Sequence, residues 1–302
     1  MVYRMSSCAV AIIALCAALP AAGQRNFDDV RVTAQPVADG VYMLTGAGGN
    51  IGVSTGEDGI LLIDDQFAPL TDKIRAAVAE LGGGKIRFVL NTHWHGDHTG
   101  GNENLGKAGV LIVAHDNVRR RMSVEQFREA MNRTVPASPK DALPVVSFND
   151  SVTFHLNREE IHALHLQAAH TDGDSIVHFR KANVLHMGDI FFNGMYPFID
   201  VSSGGSVDGV IAAVERALAL ADGKTRIIPG HGPLSDREEL AVYHEMLKKV
   251  RSAIAPMVAS GKSLEEAVAA KPTREYDEKW GQGFIDPERF VGLVYRSLSP
   301  EK

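Results

Sequence analysis

Short β-rich runs alternate with helical repeats along this chain. Apolar and β-branched residues crowd into 41–45, 51–55 and 59–64, with glycine clusters between them, which predicts antiparallel strands joined by tight turns. Residues 69–81 change period: Leu70, Ile74, Ala77, Val78 and Leu81 recur at helical spacing until Gly82, Gly83 and Gly84 end the helix. Residues 86–90 form an apolar run broken only by Arg87, read as a strand covered on both faces. A strand at 110–113 and a helix from Asp116 through Arg121 follow. The three prolines within 136–144 exclude regular structure there and predict an excursion, with 122–144 as a candidate lid.

The β pattern resumes at 151–156, 161–166, 175–179 and 183–186, with a short strand at 226–228. Helical patterns occupy 207–220, 236–258, 264–270 and 287–298. Strands followed by helix thus occur in both halves. Sheets inside and helices outside predict an α+β chain in a four-layer αβ/βα sandwich, although periodicity alone also accommodates other α+β arrangements. Residues 24–302 are expected to form one domain, with a C-terminal helical segment from about 236.

The first 23 residues stand apart. Arg4 precedes an apolar run from Ala9 to Leu19, and Ala21, Ala22 and Gly23 offer small residues before Gln24, the pattern of a cleaved export signal. An uncleaved anchor would require about 20 apolar residues, more than this run supplies, so no stable membrane insertion is expected after cleavage. Leu15 before Cys16 argues against a lipoprotein. The expected location is periplasmic or secreted. Both cysteines, Cys8 and Cys16, fall in this segment, so the mature chain has no disulfide and no thiolate ligand. A net charge of -6 and the lack of a phosphate-tracking basic block beyond Arg119–Arg121 make nucleic acid an unsuitable partner. Nothing in the composition selects an oligomeric state.

The chemistry concentrates in NTHWHGDHTGG, residues 91–101, directly after the buried strand. His93 and His95 project to one side of an extended loop, while Asp97 and His98, past Gly96, can turn toward a second point. One loop can therefore serve two metals but cannot complete either sphere. Three later segments share its grammar of apolar strand, glycine and ligand: AAHTDGDS with His170, HMGDIFF with Asp189, and IIPGHGP with His231. Asp64 and Asp174 are candidates to hold ligating imidazoles by their second nitrogen. Asp64 could equally cap a helix, and Asp174 could fix a turn with Gly173. Phe191, Phe192, Met195, Tyr196, Pro197 and Phe198 would line a substrate pocket or pack as a loop, and Phe67 and the 46–49 turn would form its rim. His115, His155, His162, His165, His178, His186 and His244 are read as structural or surface residues, His186 as one that approaches the site without binding metal.

From about Asp39 to about His244 this motif series resembles the metallo-β-lactamase fold superfamily of zinc hydrolases. The resemblance implies His93, His95 and His170 on one Zn2+, and Asp97, His98 and His231 on the other. Asp189 would bridge them; Fe or Mn would suit the same donors. It further implies a small-molecule ester, thioester, lactone or amide substrate, cleaved by a hydroxide held between the metals and oriented by Asp97. The best-known antibiotic-degrading members carry cysteine where Asp189 stands and a lysine where Phe192 stands. β-Lactam hydrolysis is thereby demoted but retained as an alternative, beside an iron-binding redox protein on the same scaffold.

Overall fold

A computed structural model describes residues 26–299, so the expected export signal at 1–23 lies outside the described residues. Two sheets form the centre. The first runs through β1 (Thr33–Ala38), β2 (Val41–Thr45), β3 (Ile51–Ser54), β4 (Ile60–Ile63), β5 (Ile86–Asn91) and β6 (Leu111–His115). A separate hairpin follows, β7 (Gln126–Arg128) and β8 (Arg133–Val135), before β9 (Val146–Phe148) completes the first sheet beside β6. The second sheet takes β10 (Ser151–Leu156), β11 (Glu159–His165), β12 (Ser175–Phe179), β13 (Val184–His186), β14 (Arg226–Ile228) and β15 (Ser235–Asp236) in order. The helices are α1 (Thr71–Glu80), α2 (Gly96–Thr99), α3 (Asn102–Lys107), α4 (Asp116–Met122), α5 (Val207–Leu220), α6 (Arg237–Ala259), α7 (Leu264–Ala269), α8 (Asp277–Trp280) and α9 (Pro287–Leu298).

Strand periodicity of two sorts the apolar side chains into layers. In β4, Leu61 and Ile63 face the other sheet, where they meet Ile161, Ala163, Val177 and Ile228, while Ile60 and Leu62 turn outward onto Ile74 and Val78 of α1. Likewise Val184 points between the sheets, and its neighbour Leu185 joins α5, α6 and α9 on the outer face. This is the expected four-layer αβ/βα sandwich. The C-terminal helices share that outer core through Leu240, Tyr243, Leu247, Phe290 and Val294, so they are built into the domain. Among the described residues no helix is long and apolar enough to cross a membrane.

Both sheets contain a parallel pair. β4 and β5 align Ile63 with Leu90, and β13 and β14 align His186 with Ile228. Parallel neighbours end at the same edge, so the loops after β4, β5, β13 and β14 emerge together. Cross-sheet hydrogen bonds close that edge: Ser175 N donates to Thr92 O at 2.9 Å, and Asn50 N donates to Gly230 O at 2.7 Å.

Some elements depart from expectation. β1 carries Pro36 and is largely exposed, an edge strand without a buried alternation to betray it. The 122–144 excursion contains the β7–β8 hairpin and a short helical turn at Lys140–Ala142. Arg121 of the basic run is engaged with Asp172 at 2.7 Å.

Candidate metal centre

The seven ligand candidates arrive on four loops at the shared edge. His93, His95, Asp97 and His98 follow β5, His170 lies between β11 and β12, Asp189 sits in the 3-10 turn Gly188–Ile190 after β13, and His231 follows β14. They form two groups, His93 with His95, His170 and Asp189, and Asp97 with His98 and His231, the ligand atoms in each lying within 4.8 Å of one another. Asp189 reaches both. Its Oδ2 is 3.8 Å from His93 Nε2 and 3.5 Å from His170 Nε2, while Oδ1 is 3.0 Å from His98 Nε2 and 3.3 Å from His231 Nε2. The first group is buried; Asp97 and His231 are partly exposed and mark the open side.

Each imidazole of the inner set is held by the nitrogen that faces away from the centre. His170 Nδ1 lies 2.7 Å from Phe198 O, His98 Nδ1 2.8 Å from Asp64 Oδ2, His95 Nε2 2.9 Å from Asp200 Oδ2, and His93 Nδ1 3.0 Å from Thr92 Oγ1. Carbonyl and carboxylate partners only accept, so these nitrogens donate and the opposite ones present lone pairs inward. Thr92 Oγ1 itself donates to Asp64 Oδ2 at 2.7 Å, which leaves it as acceptor for His93. Asp64 therefore orients two ligands, His98 directly and His93 through Thr92.

Close approach demands glycine at two points. A Cβ on Gly49 would fall 2.1 Å from His98 Cε1, and one on Gly230 would fall 2.2 Å from Asp189 Oδ1. The 46–49 turn, expected at the rim, thus lies against the ligand loop, and Gly49 N donates to Asp97 O at 3.1 Å.

The donor set fits a cation. His93 Nε2 is buried without a hydrogen-bond partner among the described residues, an arrangement that costs about 1–3 kcal/mol unless a further group satisfies it, and His98 Nε2 and Asp189 Oδ1, equally buried, meet as an ion pair at 3.0 Å without hydrogen-bond geometry. Imidazole nitrogen and carboxylate oxygen are the donors that zinc, iron and manganese share. Burial lowers His93 and takes His95 down to about 3 despite its bond to Asp200, so these rings are neutral and need lose no proton to coordinate. In the other group burial is outweighed by charge. His98, then other imidazoles, hold Asp97 and Asp189 well below the carboxylate range, while Asp189 and Asp97 raise His98 and bring His231 to about 9. A cation entering there displaces protons.

Several residues stand elsewhere than expected. Asp174 accepts from Thr171 N at 2.8 Å and Thr171 Oγ1 at 2.6 Å, so it fixes the turn that carries His170 rather than holding a ligand's ring. Tyr196 does not line a pocket: its ring is buried against Phe290, and its hydroxyl donates to Asp277 Oδ1 at 2.9 Å. Phe192 is also buried, stacked 5.0 Å from His231, where it backs a ligand. His186 bonds Asn50 O at 3.1 Å beside the site. His115 and His165 stack on each other at 3.6 Å, away from the ligand groups. Sequence reasoning missed Asp200 and Arg128. No motif spacing marks either, since Asp200 lies 105 positions from the histidine it holds. A cavity of about 170 Å³ lies behind Trp94, bordered by Gln126 and Val135 of the hairpin.

The family model described as the metallo-beta-lactamase superfamily matches residues 44–231. The chain belongs to this superfamily. It is 26% identical over 216 residues to a hydroxyacylglutathione hydrolase of Polaromonas sp., covering 69% of this chain and 73% of that one. It is 29% identical over 169 residues to a hydroxyacylglutathione hydrolase of Nitrosococcus oceani, over 54% of this chain and 55% of the relative. The fold is similar to a metallo-beta-lactamase from Pontibacter korlensis, with TM-score 0.60 and 17% identity over 72% of this chain and 99% of that chain. A superfamily chain with this cluster is a metal-dependent hydrolase acting on a small-molecule substrate.

Proposed function

We propose that this chain is an exported dinuclear zinc hydrolase of ester, thioester, lactone or amide bonds, with thioesters foremost. One observation carries the reading: Asp189 directs one oxygen toward each ligand group, the arrangement needed for two cations to share a carboxylate. The relatives named hydroxyacylglutathione hydrolase favour a thioester, and aspartate at 189 sets this chain apart from the antibiotic-degrading members that carry cysteine there.

When bound, a pair of divalent cations supplies a nucleophilic water at neutral pH and polarises the scissile carbonyl. The chain's residues do the remainder. Asp97 keeps its charge at neutral pH and lies on the open side, where it accepts a hydrogen bond from the attacking water and orients it. Asp64, Thr92, Asp200 and the Phe198 carbonyl hold the imidazole rings in one tautomer, so the site needs no rearrangement during the reaction.

The test is metal analysis of protein equilibrated with zinc, followed by a panel of acyl thioesters, acyl-lactones and nitrocefin with and without chelator. Two zinc ions per chain and chelator-sensitive thioester cleavage are expected. Fewer than two ions, or no chelator-sensitive turnover across the panel, refutes the proposal, and preferential nitrocefin cleavage replaces the thioester with a β-lactam. Analysis with iron and manganese in competition reads the preferred metal. Export is tested by N-terminal sequencing of the mature protein, expected to begin near Gln24.

A further inference from the structure

We propose that Arg128 is a specificity residue that receives a carboxylate on the substrate, so that the enzyme prefers acidic thioesters; this rests on the hydrolase reading above. Arg128 closes β7 of the hairpin, and its guanidinium lies over two rings, 5.7 Å from the centroid of Trp94 and 5.4 Å from that of Phe198. Both rings belong to ligand-bearing segments. Trp94 stands between His93 and His95, and the Phe198 carbonyl holds His170. The two ring faces fix the guanidinium plane beside the inner ligand group, within the field of Asp97 and Asp189.

Its Nε–H is unspent. Nε is buried without a partner, and the nearest carboxylate oxygen, Asp200 Oδ2, is 3.6 Å away, beyond hydrogen-bond range. Asp200 has little to offer, because Oδ2 already meets His95 Nε2 at 2.9 Å and accepts from Ser203 Oγ at 2.8 Å. A guanidinium carries five N–H donors in a planar fork that matches a carboxylate in two places. Burying Nε beside only a loose ion pair with Asp200 is unfavourable, whereas a carboxylate arriving with the substrate would pair with the guanidinium directly. Phe192 occupies the position where lactamase relatives were expected to place a lysine, and the hairpin supplies a cation from a different part of the chain.

The competing role is purely positional, with Arg128 steadying Asp200 and through it His95. The experiment separates the two by using S-acetyl-N-acetylcysteine and S-acetyl-N-acetylcysteamine, thioesters that differ only in a carboxylate. Zinc-loaded wild type, Arg128→Ala and Arg128→Lys are compared on both, with metal content and Tm recorded. Wild type is expected to favour the acidic thioester, Arg128→Ala to lose at least tenfold of that preference through KM, and Arg128→Lys to keep part of it. Equal losses on both substrates, or loss of metal from Arg128→Ala, overturn the inference in favour of positioning. Wild-type turnover of both thioesters without preference overturns it while leaving the hydrolase reading intact. Turnover of neither removes thioester hydrolysis and this inference together.

Discussion

Replacing Asp64 with asparagine converts one carboxylate oxygen into an NH2 group while preserving shape. Asp64 Oδ1 accepts from Thr92 N at 2.7 Å, and Oδ2 accepts from Thr92 Oγ1 at 2.7 Å and faces His98 Nδ1 at 2.8 Å. The backbone N–H of Thr92 cannot reverse its role, so the asparagine oxygen stays there and the NH2 points at His98 and Thr92 Oγ1. His98 must then move its proton to Nε2, the nitrogen aimed at the centre. Thr92 turns acceptor to the new NH2 and offers its hydrogen to His93 Nδ1, which drives the His93 proton inward as well. One substitution thus places a proton on a ligand atom in each group. Loss of such an orienting partner weakens metal affinity by about 10–100-fold, or about 1.4–2.8 kcal/mol. Zinc competition against a chromophoric chelator should show both sites of Asp64→Asn weakened, and Thr92→Val should weaken chiefly the site containing His93. Wild-type affinity at both sites in Asp64→Asn would refute the relay.

Removing the shared carboxylate with Asp189→Ala should leave fewer than two zinc ions per chain by elemental analysis and abolish detectable turnover. Gly230→Ala, whose new Cβ meets Asp189 Oδ1, should lower zinc content in the same assay, with the sheet signature in circular dichroism retained. Saturation with zinc at a hundred times the dissociation constant should stabilise the fold by about 2.7 kcal/mol for each occupied site, about 5.4 kcal/mol for two independent sites, read as a rise in Tm that chelator reverses. Tyr196→Phe removes a hydrogen bond to the Asp277 carboxylate worth about 1.5–3 kcal/mol. Its Tm should fall with kcat/KM unchanged; a change in substrate preference would return Tyr196 to the pocket.

What could be read in advance follows from how each feature is encoded. The ligand loop is contiguous, and its partners each follow a strand with glycine or alanine beside the ligand, because a metal ligand at a strand end needs a backbone free of bulky side chains, as Gly230 demonstrates against Asp189. Buried strands were legible because β4, and Val184 and Leu185 of β13, must satisfy apolar surroundings on both faces, which writes short hydrophobic runs; the choice of the sandwich among α+β arrangements came with the motif series. β1 and the β7–β8 hairpin face solvent, so no burial pattern records them. Asp174 and Tyr196 show the converse limit. A carboxylate four residues past a ligand or an aromatic near a bridging position has the right composition for the site, yet turn geometry claims the first and core packing the second. Asp200 and Arg128 are the opposite case: single side chains with no spacing rule, brought to His95 and Trp94 by tertiary packing alone. Ligands must obey the geometry of a cation, which leaves a sequence motif. The groups that orient the ligands or meet the substrate need obey only local packing, and this part of the site can vary among relatives while the metal motif persists.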